Sequence, residues 1–233
     1  MIVFNGVNLD SIAPVMVEDI KVSPIRYNPI VRPRAVRFGS EFIRMGGGER
    51  TVVITFAVLE KNHIARQAVF RALSAWARTD AEYMLELPTD PFNALFCVCT
   101  GKPEPSTRAW WENKLRLTFT CVSNPYWTSK TAVSVACGTA FTVLGDAPPL
   151  MQIERTISST KTNQSYSDGV NTMTFSTIPV GNMIIDLNRQ TAAVGSTSIM
   201  QYFAPAGHFI EPRTGTQTIT GTGTVKYRER WEG

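Results

Sequence analysis

The residues of this chain whose types could do chemistry are four cysteines, two histidines and a run of arginines. Cys97 and Cys99 stand one residue apart, with Cys121 and Cys137 further along. Four thiolates can hold zinc, but zinc sites space their ligands C-x2–4-C on turns. A C-x-C inside the apolar string Ala94-Leu95-Phe96-Cys97-Val98-Cys99 instead puts both sulfurs on one face of a strand. They read as buried free thiols. The start Met1-Ile2-Val3-Phe4-Asn5-Gly6 has no basic or apolar leader, so no export route and no disulfide is expected. His63 falls at the start of a predicted helix and His208 follows Ala206-Gly207 in a loop-like stretch; neither has a nucleophile or an H-E-x-x-H pattern beside it. The acids are scattered, with no pair that spacing nominates for glycoside hydrolysis. Histidine is the commonest general base and metal ligand at neutral pH. Its scarcity leads us to expect no catalytic residue, no metal and no cofactor: the chain does not read as an enzyme.

Gly46-Gly47-Gly48 precedes a strand, whereas a phosphate loop follows a strand and opens a helix. A flexible hairpin tip is the expectation there. Asn163-Gln164-Ser165 matches a glycosylation acceptor in form only. The sharpest charge feature is Arg26, Arg32, Arg34, Arg37 and Arg44, with Glu41 the only acid among them and Pro24, Pro29 and Pro33 interleaved. One reading is a nucleic-acid patch; the other is an extended arm docking on an acidic protein neighbour. A net charge of +4 and few aromatics nearby (Tyr27, Phe38, Phe42) favour protein contact.

These side chains need a frame, and 233 residues with 43% apolar and 18% charged composition can build one. The longest apolar runs are a few residues, far short of the ~20 that span a bilayer, so no membrane contact is expected. The first 128 residues carry 27 charges and the other 105 only 15, where Thr, Ser and Gly dominate. With Asn124-Pro125-Tyr126-Trp127-Thr128-Ser129 as a domain exit, two domains are expected, 1–128 and 129–233. In the first, Asn62 caps a helix whose apolar stripe is Ile64, Ala65, Ala68, Val69, Ala72, Leu73, Trp76 and Ala77. Strands are predicted over 83–87, 94–99 and 114–122, and over 51–58, which is apolar on both faces. In the second, short β-patterned runs (132–135, 150–153, 172–176, 182–186, 191–194, 199–203, 216–220, 224–227) are separated by turns such as Ser167-Asp168-Gly169 and Pro179-Val180-Gly181. The class is mainly β: a β-rich α+β domain with one packed helix, then an antiparallel sandwich or barrel.

The order of these features carries a resemblance. Phe4-Asn5-Gly6, a Gly-rich hairpin running into Arg50-Thr51-Val52-Val53-Ile54-Thr55-Phe56, and a helix with Leu73 and Trp76 precede Phe119-Thr120-Cys121-Val122-Ser123-Asn124-Pro125-Tyr126-Trp127. This resembles the distal tail proteins of long-tailed, siphovirus-type bacteriophages, hub components at the tip of the tail tube. In that family the first domain commonly closes on a Phe-x-Cys-x-x-Asp-Pro-Tyr-like string, matched here at Cys121, Asn124, Pro125 and Tyr126. Asn124 replaces the usual Asp, losing a charge but keeping a turn-forming side chain. The segments 145–153, beginning Gly145-Asp146-Ala147-Pro148, and Met183-Ile184-Ile185-Asp186 look like two landmarks of the family's galectin-like β-sandwich.

The resemblance implies a structural virion protein of the tail tip, made in the bacterial host cytoplasm. Its first domains would form a hexameric ring, a belt continuing the tail tube, between tail-tube protein and the tail-tip hub protein. Its second domains would point outward to receptor-binding or other baseplate proteins. A ring contact is heterologous and needs two different faces per subunit; the five arginines are candidates for one of them. DNA passing through such a ring would meet basic residues without being read for sequence. The alternative is a carbohydrate-binding adhesin. Sugar readers of this fold use His, Asn, Arg and a stacking Trp. Residues 129–233 offer only His208 and Trp231, so Tyr202, Phe203 and Trp231 read first as packing or partner contacts.

Overall fold

The structure, a computed structural model, describes the chain apart from residues 34–39, 61, 102–103, 106–113 and 233; for 28–33, 40–47 and 104–105 it describes the backbone alone. The described residues form one α-helix and twenty strands, two of the strands only two residues long at the chain start, so the fold is mainly β. Contacts divide the chain into two compact units, Met1–Trp127 with Glu232–Gly233, and Thr128–Trp231.

The first unit runs β1 (Val3–Phe4), β2 (Val7–Asn8), β3 (Val15–Val22), β4 (Arg26–Pro33), β5 (Ser40–Val58), α1 (His63–Ala77), β6 (Tyr83–Glu86), β7 (Asn93–Cys99), β8 (Glu104–Pro105) and β9 (Lys114–Cys121); β10 (Trp127–Ser129) leads out of it. The second half of β5 lies between β3 and β9, all antiparallel, with Val52 opposite Val22 and Phe119. β7 continues from β9, β6 from β7 and β1 from β6. Strand alternation sets the core: Val52, Ile54, Phe56 and Val58 share the buried face with Leu115, Leu117, Phe119 and Cys121. The other face of β5 (Val53, Ala57) is only half-buried, not buried as its apolar residues suggested, because α1 packs on one side of the sheet.

Asn62 caps α1 as expected, its Oδ1 accepting from the Ile64 amide at 2.8 Å. The stripe is narrower than predicted: Val69, Leu73, Trp76 and Ala77 are buried, while Ile64 is 77% exposed and Ala68 exposed. Phe4 anchors the packing, edge-on to Phe119 at 5.0 Å, Trp76 at 5.7 Å and Tyr83 at 6.4 Å between ring centroids. The Trp76 indole N–H donates to the Val7 carbonyl at 3.1 Å, so its polar edge is satisfied.

The second unit holds β11 (Val133–Ala136), β12 (Ala140–Val143), β13 (Ala147–Ile157), β14 (Lys161–Ser167), β15 (Thr172–Ile178), β16 (Gly181–Asp186), β17 (Thr191–Val194), β18 (Thr197–Ser198), β19 (Gly215–Thr218) and β20 (Thr224–Trp231). One antiparallel sheet takes the order β11-β20-β13-β16-β17-β18, and β12–β19 and β14–β15 are two-stranded ribbons. Met151, Ile153, Met183, Ile185 and Val225 from the sheet and Met173, Phe175 and Tyr166 from β14–β15 share one core. The run 199–203, predicted as a strand, is a 3-10 turn (Met200–Tyr202) in which the Tyr202 and Phe203 amides bond back to Ile199 and Met200. Only Ile199 of that run is fully buried, so a single anchor replaces an alternating face. β14 escaped prediction because Lys161-Thr162-Asn163-Gln164-Ser165 is polar and only Tyr166 is buried.

Candidate functional site

Alternation along β5 decides the centre of the first unit. Arg50 is in phase with Val52, Ile54 and Phe56, so the strand carries its side chain to the buried face, where it is 1% exposed. Its cross-strand neighbour is Cys121, the first matched residue of the resemblance string. The guanidinium carbon lies 6.0 Å from the centre of the Trp127 ring, a cation–π contact. Nη2 donates to the Glu232 carbonyl, while Nε and Nη1 have no hydrogen-bond partner among the described residues. Burial lowers the Arg50 pKa from its ordinary value, yet an arginine stays charged in proteins. The Tyr27 hydroxyl donates to Glu232 Oε1 at 2.8 Å and neighbours Tyr126. Burial, then those two contacts, hold its ionisation above the usual range.

The string that holds Cys121, Asn124, Pro125 and Tyr126 therefore meets Arg50 at Cys121 and at the following Trp127. Its bend is pinned by Glu82, whose Oε1 accepts from the Val122 amide at 2.8 Å and the Ser123 amide at 2.9 Å, and whose Oε2 accepts from the Ser123 hydroxyl. Asn124 is 6% exposed; a neutral amide avoids the cost an aspartate would meet on losing water there. Arg50 was missed as a site residue, although a charged residue in phase with an apolar face was a readable signal. Glu82 gave no signal at all.

Of the five arginines expected at an interface, Arg26, Arg32 and Arg44 lie on β4 and β5, which pair as a ribbon. Arg26 stands opposite Glu49, Arg32 opposite Glu41 and Arg44 opposite Ile30. Arg34 and Arg37 lie outside the described residues. Gly46-Gly47-Gly48 is not the tip of this hairpin: it lies within β5, where Tyr27 faces Gly48 and Pro29 faces Met45. The register shift is a bulge, which glycine accommodates. A Cβ on Gly48 would come within 2.5 Å of the Ile25 side chain and 3.3 Å of the Tyr27 ring.

All four cysteines are free thiols. Cys97 and Cys121 are fully buried, and hydrogen bonding between them, then burial, pushes the Cys97 thiol well up. Cys99 and Cys137 are half-buried and also raised, first by burial. Among the described residues no group of three or more His, Cys, Asp and Glu is placed to hold a metal. His63 and His208 are exposed. Asp186 closes β16 by accepting the Asn188 and Arg189 amides at 3.0 and 2.9 Å, and Asn188 clips that turn to the Met151 amide at 2.7 Å. In the second unit a groove of about 580 Å³ lies over the outer sheet face, lined by Glu154, Thr156, Asn182, Ile184 and Lys226 among others.

Neither a protein-family model nor a curated protein matches the sequence. Solved structures match the fold, and they belong to phage tail hubs and baseplates. The chain is similar to the Dit protein of phage SPP1, described with its crystal structure as a paradigm of the hub adsorption apparatus in phages that infect Gram-positive bacteria. That similarity has a TM-score of 0.72 at 15% identity and covers 98% of both chains. Chains of the phage P2 baseplate in its activated conformation, with Ca and with Sr, match at TM-scores of 0.54 and 0.52, 10% identity and 95% coverage. The resemblance drawn from the residues around Cys121 and the similarity in fold single out the same group of proteins.

Proposed function

We propose that the protein is a structural component of a phage tail tip, whose first unit forms a hexameric ring between tail tube and tail-tip hub and whose second unit offers a docking module to adhesion proteins. The carrying observation is fold similarity to a hub protein over 98% of both chains. That no group of three or more His, Cys, Asp and Glu is placed to hold a metal among the described residues is compatible with a scaffold. The β4–β5 ribbon, bearing Arg26, Arg32 and Arg44 with Arg34 and Arg37 between its strands, supplies one face of the heterologous ring contact. Arginine suits such a face because its fork pairs carboxylates of a neighbour in two bonds.

The sugar-binding alternative gains nothing from the groove on the second unit. No aromatic ring lines it, and its polar groups pair among themselves: Lys226 with Glu154 at 3.1 Å and Thr156 with Asn182 at 3.0 Å. Negative-stain microscopy of the purified protein tests the proposal. Six-fold rings with a central channel, lost on alanine substitution of Arg32, Arg34 and Arg37, are expected; a monomer at every concentration and with tail-tube protein added overturns it.

A further inference from the structure

We infer that the root of the β4–β5 ribbon is a built-in receptor for an acidic residue of the same chain: Tyr27, Arg50 and Trp127 form the site and Glu232 is its ligand. The three come from three strands, and Glu232 lies 205 residues from Tyr27 and 182 from Arg50. Two different groups of Glu232 are read. Arg50 Nη2 takes the main-chain carbonyl, and the Tyr27 hydroxyl takes the carboxylate at 2.8 Å. Trp127 covers the guanidinium at 6.0 Å.

A guanidinium 1% exposed cannot rely on water, so its acceptors must come from the protein. Among the described residues its Nε and Nη1 donors find no acceptor, which leaves the Glu232 carbonyl as the hydrogen-bond acceptor for the guanidinium there. The position of the site matters as much. Tyr27 is in β4, one residue from the Arg26–Glu49 pair, and Arg50 follows Glu49 in β5. Glu232 therefore braces both strands of the ribbon where they leave the sheet. Beyond Arg50, β5 pairs with β9, but Ser40–Glu49 pairs with β4 alone among the described residues. Besides its own pairing, the root of the ribbon is held by Glu232 and by the contact of Tyr27 with Tyr126, so its order depends in part on this ligand.

Hydrogen exchange of the protein tests this, with Glu232→Ala, Tyr27→Phe, the double variant and a chain cut after Trp231. Each single change should raise exchange in peptides covering Arg26–Pro33 and 40–49 about tenfold, the equivalent of one hydrogen bond to a charged group. Peptides of α1 and β7 should be unchanged. The double variant should show about the same rise as either single variant and no more than the truncated chain, because both changes remove one contact. Unaltered exchange in the ribbon, or an equal rise across the whole unit, overturns the inference. The readout needs no assembly, so its failure leaves the tail-tip proposal standing, and a failure to form rings leaves this one standing.

Discussion

Asp168 at the tip of the β14–β15 hairpin offers a quantitative test of how the second unit is held. Its side chain is 1% exposed and its carboxylate accepts three bonds: from the Val170 amide at 2.9 Å, the Asn171 amide at 2.7 Å and Arg213 at 2.5 Å. Burial alone would raise its pKa, but the Asn171 and Val170 amides and the Arg213 charge together bring it below the ordinary value. Arg213 is half-exposed, so its share is screened and small. The two amides are the larger part, at about 1–1.5 kcal/mol each. Asp168→Ala should then cost about 2–3 kcal/mol at pH 7, a sizeable part of a typical total of about 5–15 kcal/mol. Asp168→Asn keeps an acceptor oxygen and should cost about 1 kcal/mol. A depressed folded pKa means this stabilisation is complete above the unfolded carboxylate value of about 3.9 and disappears as pH falls through the lower folded value. The assay is urea denaturation read by hydrogen exchange of peptides from the second unit, at pH 7 and stepwise toward pH 3. Equal stability of Asp168→Asn and the parent at pH 7, or a gap that persists unchanged to pH 3, would refute the reasoning.

Three further outcomes are expected. Phe4→Ala removes a fully buried ring that touches Phe119, Trp76 and Tyr83, and should destabilise the first unit by about 3–5 kcal/mol; calorimetry should show that unit's transition moving alone. Glu82→Ala deprives the Val122 and Ser123 amides of their acceptor and should cost about 1–2 kcal/mol, with faster exchange confined to the 121–127 bend. Native-state alkylation at pH 8 should reach Cys99 and Cys137 well before Cys97 and Cys121, because thiolate is the reactive form and burial is complete only for the latter pair; early labelling of Cys97 would count against the packing described.

Much of the frame was legible because it depends on neighbours in sequence. The 3.6-residue spacing of Val69, Leu73 and Trp76, the Asn62 cap and the alternation of Leu115, Leu117 and Phe119 are local patterns, and each forms as read. The buried thiols Cys97 and Cys121 were legible for the same reason: they sit inside apolar strands. Asn124 was readable as a residue before Pro125, but not as one 6% exposed.

What failed depends on which surfaces meet. Ile64 continues the helical stripe, yet the buried part of the helix begins only at Val69; Val53 looks as apolar as Val52, yet only Val52 is fully buried. The three glycines read as a tip because a Gly run signals a turn, whereas pairing with β4 makes them a bulge. Taken by itself, then, the sequence determines a mainly β chain with one capped helix and the two phases along β5, since side-chain period is a property of the backbone. That Arg50, in the buried phase, meets Trp127 and Glu232 was decided by tertiary structure alone, since strands brought side by side join residues up to 182 positions apart that no local pattern connects.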